Sequence, residues 1–170
     1  KALAFVDMEI PLREGGARGQ VMLAPRVEAR LLQDANVQKH EKVLEIGAGS
    51  GYMAALMAHR AQRVVSLEIE PELARMARAN LQRAGLTNVE VREADGANGL
   101  AAEGPFDVIV LSGSVAEVPP QLLSQLKVGG RLAAIVGFEP VMRATIITRT
   151  GEAAYSTAQP WDTVAPRLAN

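Results

Sequence analysis

The sequence predicts an α/β fold of three layers, in which helices cover both faces of a mostly parallel sheet that finishes in an antiparallel hairpin. From Val43 onward, short β-branched runs alternate with amphipathic helical stretches, the pattern of βα units on a parallel sheet. The last two strand-like runs, Val141–Arg149 and Glu152–Ala158, are joined at Thr150-Gly151 with no helix between them, which reads as a hairpin. Glycines at Gly47, Gly49 and Gly51 follow the first strand at once and mark a turn where a ligand can approach the backbone.

Taken in order, Pro25 to Leu32 reads as a helix with Val27, Leu31 and Leu32 inward, preceded by the glycine-rich loop Gly15 to Gly19. The first strand is Val43–Ile46. Tyr52 to Arg60 is helical, and its Met53, Ala54, Leu56 and Met57 predict burial on most sides. A second strand, Arg63–Leu67, leads into the clearest helix, Pro71 to Ala84. There proline stands in the first turn, Leu73, Met76, Ala77, Leu81 and Ala84 form one stripe, and Gly85 supplies the stop. Strands at Val89–Arg92, Asp107–Leu111 and Arg131–Val136 complete the parallel part, each nearly continuous in apolar residues, as strands covered on both faces are. With the closing hairpin the count reaches seven. Residues 1–170 read as a single domain, with no repeat, low-complexity segment or linker.

Composition narrows the function. The chain has 170 residues, 48% apolar and 22% charged, with a formal net charge of -1, so no basic surface marks a nucleic-acid or acidic-membrane binder. Cysteine is absent, which excludes a disulfide framework, a thiolate metal site and a thiol nucleophile. No apolar run reaches the roughly 18 residues of a membrane span, and no leader pattern is read in Lys1 to Leu12, so a cytoplasmic protein is expected. The chain opens at Lys1 with no initiator methionine, and residues are expected to precede it.

The most informative stretch runs from Val43 to Tyr52, Val-Leu-Glu-Ile-Gly-Ala-Gly-Ser-Gly-Tyr. A dinucleotide fingerprint, G-x-G-x-x-G, would need its third glycine where Tyr52 stands, and a parallel sheet to its end. An acid on the strand followed by G-x-G-x-G instead resembles class I S-adenosylmethionine (SAM) methyltransferases, whose fold is a Rossmann-like, mostly parallel seven-stranded sheet. The helix N-terminus after the glycines is expected to offer free N–H groups. Glu68 ends the second strand, where a carboxylate can accept both hydroxyls of a ribose. Asp95-Gly96 follows the third strand, with a carboxylate able to accept from an adenine amino group and a glycine that leaves room for the ring.

A narrower resemblance is to the protein-L-isoaspartate O-methyltransferases. Their Gly-Gln-Thr-Ile-Ser-x-Pro segment is similar to Gly19-Gln20-Val21-Met22-Leu23-Ala24-Pro25, and their Leu-Glu-Ile-Gly-x-Gly-Ser-Gly-Tyr motif is met outright by Leu44 to Tyr52. Asp95-Gly96-Ala97-Asn98-Gly99 resembles their Asp-Gly-x-x-Gly. Phe106 to Val110 and the run from Val118-Pro119-Pro120 to Gly129-Gly130-Arg131-Leu132 resemble their fourth strand, following loop and fifth strand. The resemblance spans about Phe5 to Gly137 and implies SAM as cofactor, with S-adenosyl-L-homocysteine as product. It further implies a cofactor-contact set of Met22, Leu23, Glu45, Gly47, Ala48, Gly49, Tyr52, Glu68, Ile69, Asp95, Gly96 and Ser112, with no metal. The departures are specific: the family serine is Leu23, its threonine is Val21, the usual Pro-Val-Gly is Ile135-Val136-Gly137, and the closing Val-Pro-Leu is not found in Gln159 to Pro166.

The implied acceptor is an isoaspartyl residue of a protein or peptide, or else a small carboxylate. A carboxylate is ionised at pH 7 and needs no general base, which suits a chain whose two histidines, His40 in the polar lead-in to the first strand and His59 on the last turn of a helix, read as non-catalytic. Cytosine C5 methylation is excluded by the missing thiol, and Val118-Pro119-Pro120-Gln121 is not the Asn/Asp-Pro-Pro-Tyr of amino-methylating DNA enzymes. Ser112, Gly113 and Ser114 follow the fourth strand where the methyl group should point. The competing expectation is a re-purposed SAM-binding module in which Leu23 has closed the acceptor site.

Overall fold

In the computed structural model, which describes residues 23–169, the apolar runs pair into a seven-stranded sheet of order β3-β2-β1-β4-β5-β6-β7. The strands are β1 (Lys42–Ile46), β2 (Arg63–Glu68), β3 (Val89–Glu93), β4 (Phe106–Val115), β5 (Leu126–Phe138), β6 (Val141–Gly151) and β7 (Ala154–Thr163). The first five in this order are parallel, and β6 and β7 are antiparallel to their neighbours. Met22, Val21 and the glycine-rich loop before them lie outside the described residues.

Side chains alternate across each strand, so the two sheet faces separate cleanly. Val43, Val64, Val91, Val108 and Val110 face one way, under α1 (Pro25–Ala35), α2 (Tyr52–Ala58) and α3 (Pro71–Arg83). Proline opens α1 and α3 within the first helical positions, where its missing N–H costs nothing. Leu44, Ile46, Val65, Leu67, Ile109 and Leu111 face the other way around fully buried Phe106. That second layer is thinner than the first: two 3-10 turns at Gly96–Asn98 and Ala101–Glu103 and the four-residue α4 (Pro120–Leu123).

The antiparallel end departs from the expected boundaries. β6 continues through Gly151, which pairs with Ala154, so the hairpin tip is Glu152-Ala153 rather than Thr150-Gly151. The Arg149 guanidinium holds that tip, its Nε donating to the carbonyls of Gly151 and Glu152, both at 3.2 Å. A further hairpin, not expected from the sequence, joins β5 to β6 through Glu139-Pro140, so the sheet closes as a three-stranded meander. Beyond β7 the chain returns to β4: Ser114 N–H donates to the Pro166 carbonyl at 2.7 Å, Leu168 N–H donates to the Ser114 carbonyl at 2.8 Å, and Ser114 Oγ donates to the Ala165 carbonyl at 2.9 Å.

Candidate functional site

The chain visits β1, β2 and β3 on one side and then crosses to β4 on the other side of β1. Ligands in open α/β sheets bind outside the carboxyl ends of the strands at such a reversal. The crevice in this structure lies there, with Gly47 at the end of β1 and Ser112 and Gly113 near the end of β4.

Its floor is the glycine turn. Gly47, Gly49 and Gly51 hold φ of +92°, +53° and +89°, in the left-handed region that other residues enter at a cost. The N–H groups of the three glycines are engaged within the fold. Gly47 donates to the Leu67 carbonyl at 2.7 Å, Gly49 to Glu68 Oε1 at 2.9 Å and Gly51 to the Ala48 carbonyl at 2.8 Å. The glycines therefore supply close approach, while their donors hold the turn itself together.

One row of polar side chains runs beneath the helices. Glu45 shares its face of β1 with Val43, and its register partner on β2 is Ser66, whose Oγ donates to Glu45 Oε1 at 2.6 Å. Two residues further along β2, on the same face, stands Glu68. On β4 the register against β5 shifts between Val110 and Ser114, so β4 advances four residues while β5 advances two, from Ala133 to Ile135. Such a bulge re-aims side chains, and Ser112 within it donates its hydroxyl to Glu45 Oε2. Glu45 is fully buried. Burial pushes its pKa up to about 7 against the opposing pull of the Ser112 and Ser66 hydroxyls, and the charge of nearby Glu68 adds to the rise.

Glu68 braces the rim, accepting from Gly49 N–H and, at 3.0 Å on its other oxygen, from Glu70 N–H. Each oxygen keeps lone-pair capacity for a further donor. Leu23, Glu45, Gly47, Ala48, Gly49, Tyr52, Glu68, Ile69, Gly96 and Ser112 of the expected set all line this one crevice. Asp95 does not: it is exposed and accepts from Ala97 N–H at 3.0 Å, capping the turn that follows β3, while Gly96 packs against Ile46 and reaches the crevice wall. Met22 falls outside the described residues.

Two contributors escaped the sequence. The returning segment Pro166 to Ala169 forms one wall, with Leu168 against Gly47 and Gly113. Glu28 of α1 lines the crevice while only 4% exposed, and its Oε2 has no hydrogen-bond partner among the described residues. Burial pushes its pKa up to about 8, with the charge of Glu45 adding to the effect. Helical spacing could have found it, since Glu28 stands three and four residues before the inward Leu31 and Leu32.

The sheet order, the antiparallel ending and a crevice at the switch point, with acids at the ends of β1 and β2, define a class I methyltransferase fold. The model of the Protein-L-isoaspartate(D-aspartate) O-methyltransferase family matches residues 1–163, and the chain belongs to that family. It is 44% identical over 135 residues to a protein-L-isoaspartate O-methyltransferase of Methanoculleus marisnigri, covering 79% of this chain and 60% of that protein. It is 39% identical over 157 residues to a Polaromonas relative of the same description, covering 92% and 72%. A solved protein-L-isoaspartate O-methyltransferase superposes with a TM-score of 0.85 at 26% identity, over 97% of this chain and 53% of that one. A Plasmodium falciparum β-aspartate methyltransferase structure in complex with S-adenosyl-L-homocysteine superposes at 0.78, with 21% identity, over 96% and 81%. The chain thus spans about three fifths of the length of the first relative it matches.

Proposed function

We propose that this chain is the SAM-binding domain of a protein-L-isoaspartate O-methyltransferase, one that methylates the carboxylate of isoaspartyl residues in damaged proteins in the cytoplasm. The observation that carries the reading is the convergence of ten sequence-expected contact residues on one crevice at the switch point of the sheet. The donor set fits the cofactor. SAM bears a sulfonium and an ammonium, and the crevice offers three buried carboxyl groups, Glu28, Glu45 and Glu68.

SAM supplies a methyl group already activated for displacement, and its thioether product leaves without protonation. The protein's share is position and exclusion of water. Gly47 and Gly49 allow close approach to the floor, Glu68 stands where ribose hydroxyls can donate to it, and Ser112 holds Glu45 in place. A carboxylate acceptor is its own nucleophile at neutral pH, which agrees with a crevice wall that holds no histidine.

Leu23 favours attention to a second reading, a small carboxylate acceptor or a module that binds without transfer. It is 2% exposed and presents an apolar face to the crevice where a hydroxyl would stand. The deciding experiment incubates the protein with methyl-labelled SAM and an isoaspartyl peptide beside its aspartyl twin. Label on the isoaspartyl peptide alone supports the proposal. Binding of SAM with no label on either peptide overturns the isoaspartyl assignment.

A further inference from the structure

Among the described residues, the inner end of the crevice is built from acids with no basic partner facing them. Glu45 is satisfied by two serine hydroxyls, but Glu28, which lines the crevice from α1, is not: its Oε2 is buried and has no hydrogen-bond partner among the described residues. An apolar replacement would fill that place at lower cost, since a buried carboxyl without hydrogen bonds is unfavourable in either protonation state.

The cations around it are committed elsewhere. Among the elements packed against α1, Arg131 of β5 pairs with Glu41 and Arg143 of β6 stands 3.9 Å from Asp162. Lys127 of β5 pairs with Asp107 of β4, and Arg149 donates to backbone carbonyls. On α1 itself, Arg26 and Arg30 are exposed, Arg30 lies over the Trp161 ring, and Asp34 accepts from the Trp161 indole. Arg167, on the returning segment, is exposed and donates to the Gly137 carbonyl. From the sheet floor the groups that face Glu28 are Glu45 and, beyond it, Glu68; Glu70 and Tyr52 line the outer part. Among the described residues, no positive charge faces this inner end.

We propose that Glu28 makes the crevice charge-selective, shifting its preference toward the sulfonium form of the cofactor and away from the uncharged thioether product. The proposal rests on the reading of the crevice as a SAM site and adds a specificity-determining residue to it. SAM and S-adenosylhomocysteine share the adenosine and the amino-acid end; they differ by one methyl group and one positive charge on sulfur. Contacts made by Glu68, the glycine turn or Gly96 are therefore common to both. A carboxyl group that is neutral in the free protein and ionises beside the sulfonium acts on one of them only. Entry of the cation releases a proton from the acid pair, and loss of the charge at methyl transfer lets the proton return. Burial and Glu45 hold Glu28 near pKa 8 in the free protein, so this exchange falls in the neutral range.

Calorimetric titration of the full chain with SAM and with S-adenosylhomocysteine, each at pH 6.5, 7.5 and 8.5, tests it. The ratio of the two affinities is expected to rise in favour of SAM by about tenfold across that range, as one linked proton requires at most tenfold per pH unit. In Glu28→Gln, which keeps the shape and removes the charge, the ratio should lie about tenfold lower at pH 8.5 and no longer change with pH, while product affinity stays within about twofold. Glu28→Met, expected to fold at least as stably, should behave as Glu28→Gln does. Parallel pH profiles for the two ligands in the unaltered protein, or a pH-dependent ratio that survives both substitutions, overturns the role of Glu28 while leaving the SAM site intact. Failure of both ligands to bind at every pH overturns the SAM reading itself.

Discussion

Arg131 and Glu41 meet in a two-pronged pair, Nη1 to Oε2 at 2.6 Å and Nη2 to Oε1 at 2.7 Å, that ties the lead-in of β1 to β5 across β4. The same guanidinium donates to the carbonyls of Ala35 and Asn36, both at 2.6 Å, and so closes the end of α1. Arg131→Ala would leave the buried Glu41 carboxylate with the Gln38 N–H but no countercharge, and would take the guanidinium from the Ala35 and Asn36 carbonyls. A loss of about 3 kcal/mol is expected by urea unfolding, and Arg131→Lys should recover only part of it because one ammonium cannot span the fork. Burial raises the pKa of Glu41, but the bonds and charge of Arg131, with the Gln38 N–H, outweigh it and hold the group below the usual carboxylate range. The pair's contribution is therefore present above the unfolded-state pKa and is lost as pH falls through the folded value.

Glu28 carries the opposite sign. Its folded pKa is raised from the ordinary 4.5 to about 8, so between those values the unfolded chain gives up a proton that the folded chain keeps. Folding stability attributable to this group falls as pH rises from about 4.5 to about 8 and then levels. Glu28→Met is expected to raise Tm by about 5 °C at pH 8 and by distinctly less at pH 5. Equal shifts at both values in scanning calorimetry would show that Glu28 is ionised in the folded protein.

Glu68→Ala removes a carboxylate that both braces the glycine turn and faces the crevice. SAM affinity should fall by about 1 to 3 kcal/mol, measured by calorimetry, with Glu68→Gln intermediate because its amide oxygen can still accept one of the two backbone N–H groups. An unchanged affinity in Glu68→Ala would remove Glu68 from the binding site.

Leu23 places its side chain in the crevice, so a hydroxyl introduced there enters the same space. Transfer to isoaspartyl peptide is expected to be at least about tenfold slower than in a relative that keeps the serine, a difference of about 1.4 kcal/mol in transition-state stabilisation. Leu23→Ser should recover part of that loss with SAM affinity within about twofold. A variant as silent as the parent would favour binding without transfer.

Much of this architecture was legible from local pattern. The β-branched runs from Val43 to Val136 gave the parallel strands because burial on both faces leaves few polar positions, and Leu44 to Tyr52 marked the crevice because only glycines tolerate that turn. What escaped depends on distant contacts. The β5–β6 hairpin was hidden because Glu139-Pro140 lacks the glycine signal of a tight turn. Glu28 was passed over because a lone acid on an amphipathic helix ordinarily faces water, although its spacing from Leu31 and Leu32 puts it on the inward face.

The bond between Ser66 and Glu45 also decides how the chain pairs with itself. A slip of β2 by one residue against β1 would turn Ser66 to the opposite sheet face, among Leu44, Ile46 and Ile109, and strand Glu45 without that donor. A buried carboxyl deprived of a hydrogen bond costs on the order of 1 to 3 kcal/mol, whereas Val64 and Val65 could exchange faces with little penalty. The valines on β2 are nearly interchangeable, and the serine is not. The polar row thus acts as a key to strand alignment, and a chain that folded with the wrong pairing would lose its crevice and part of its stability together.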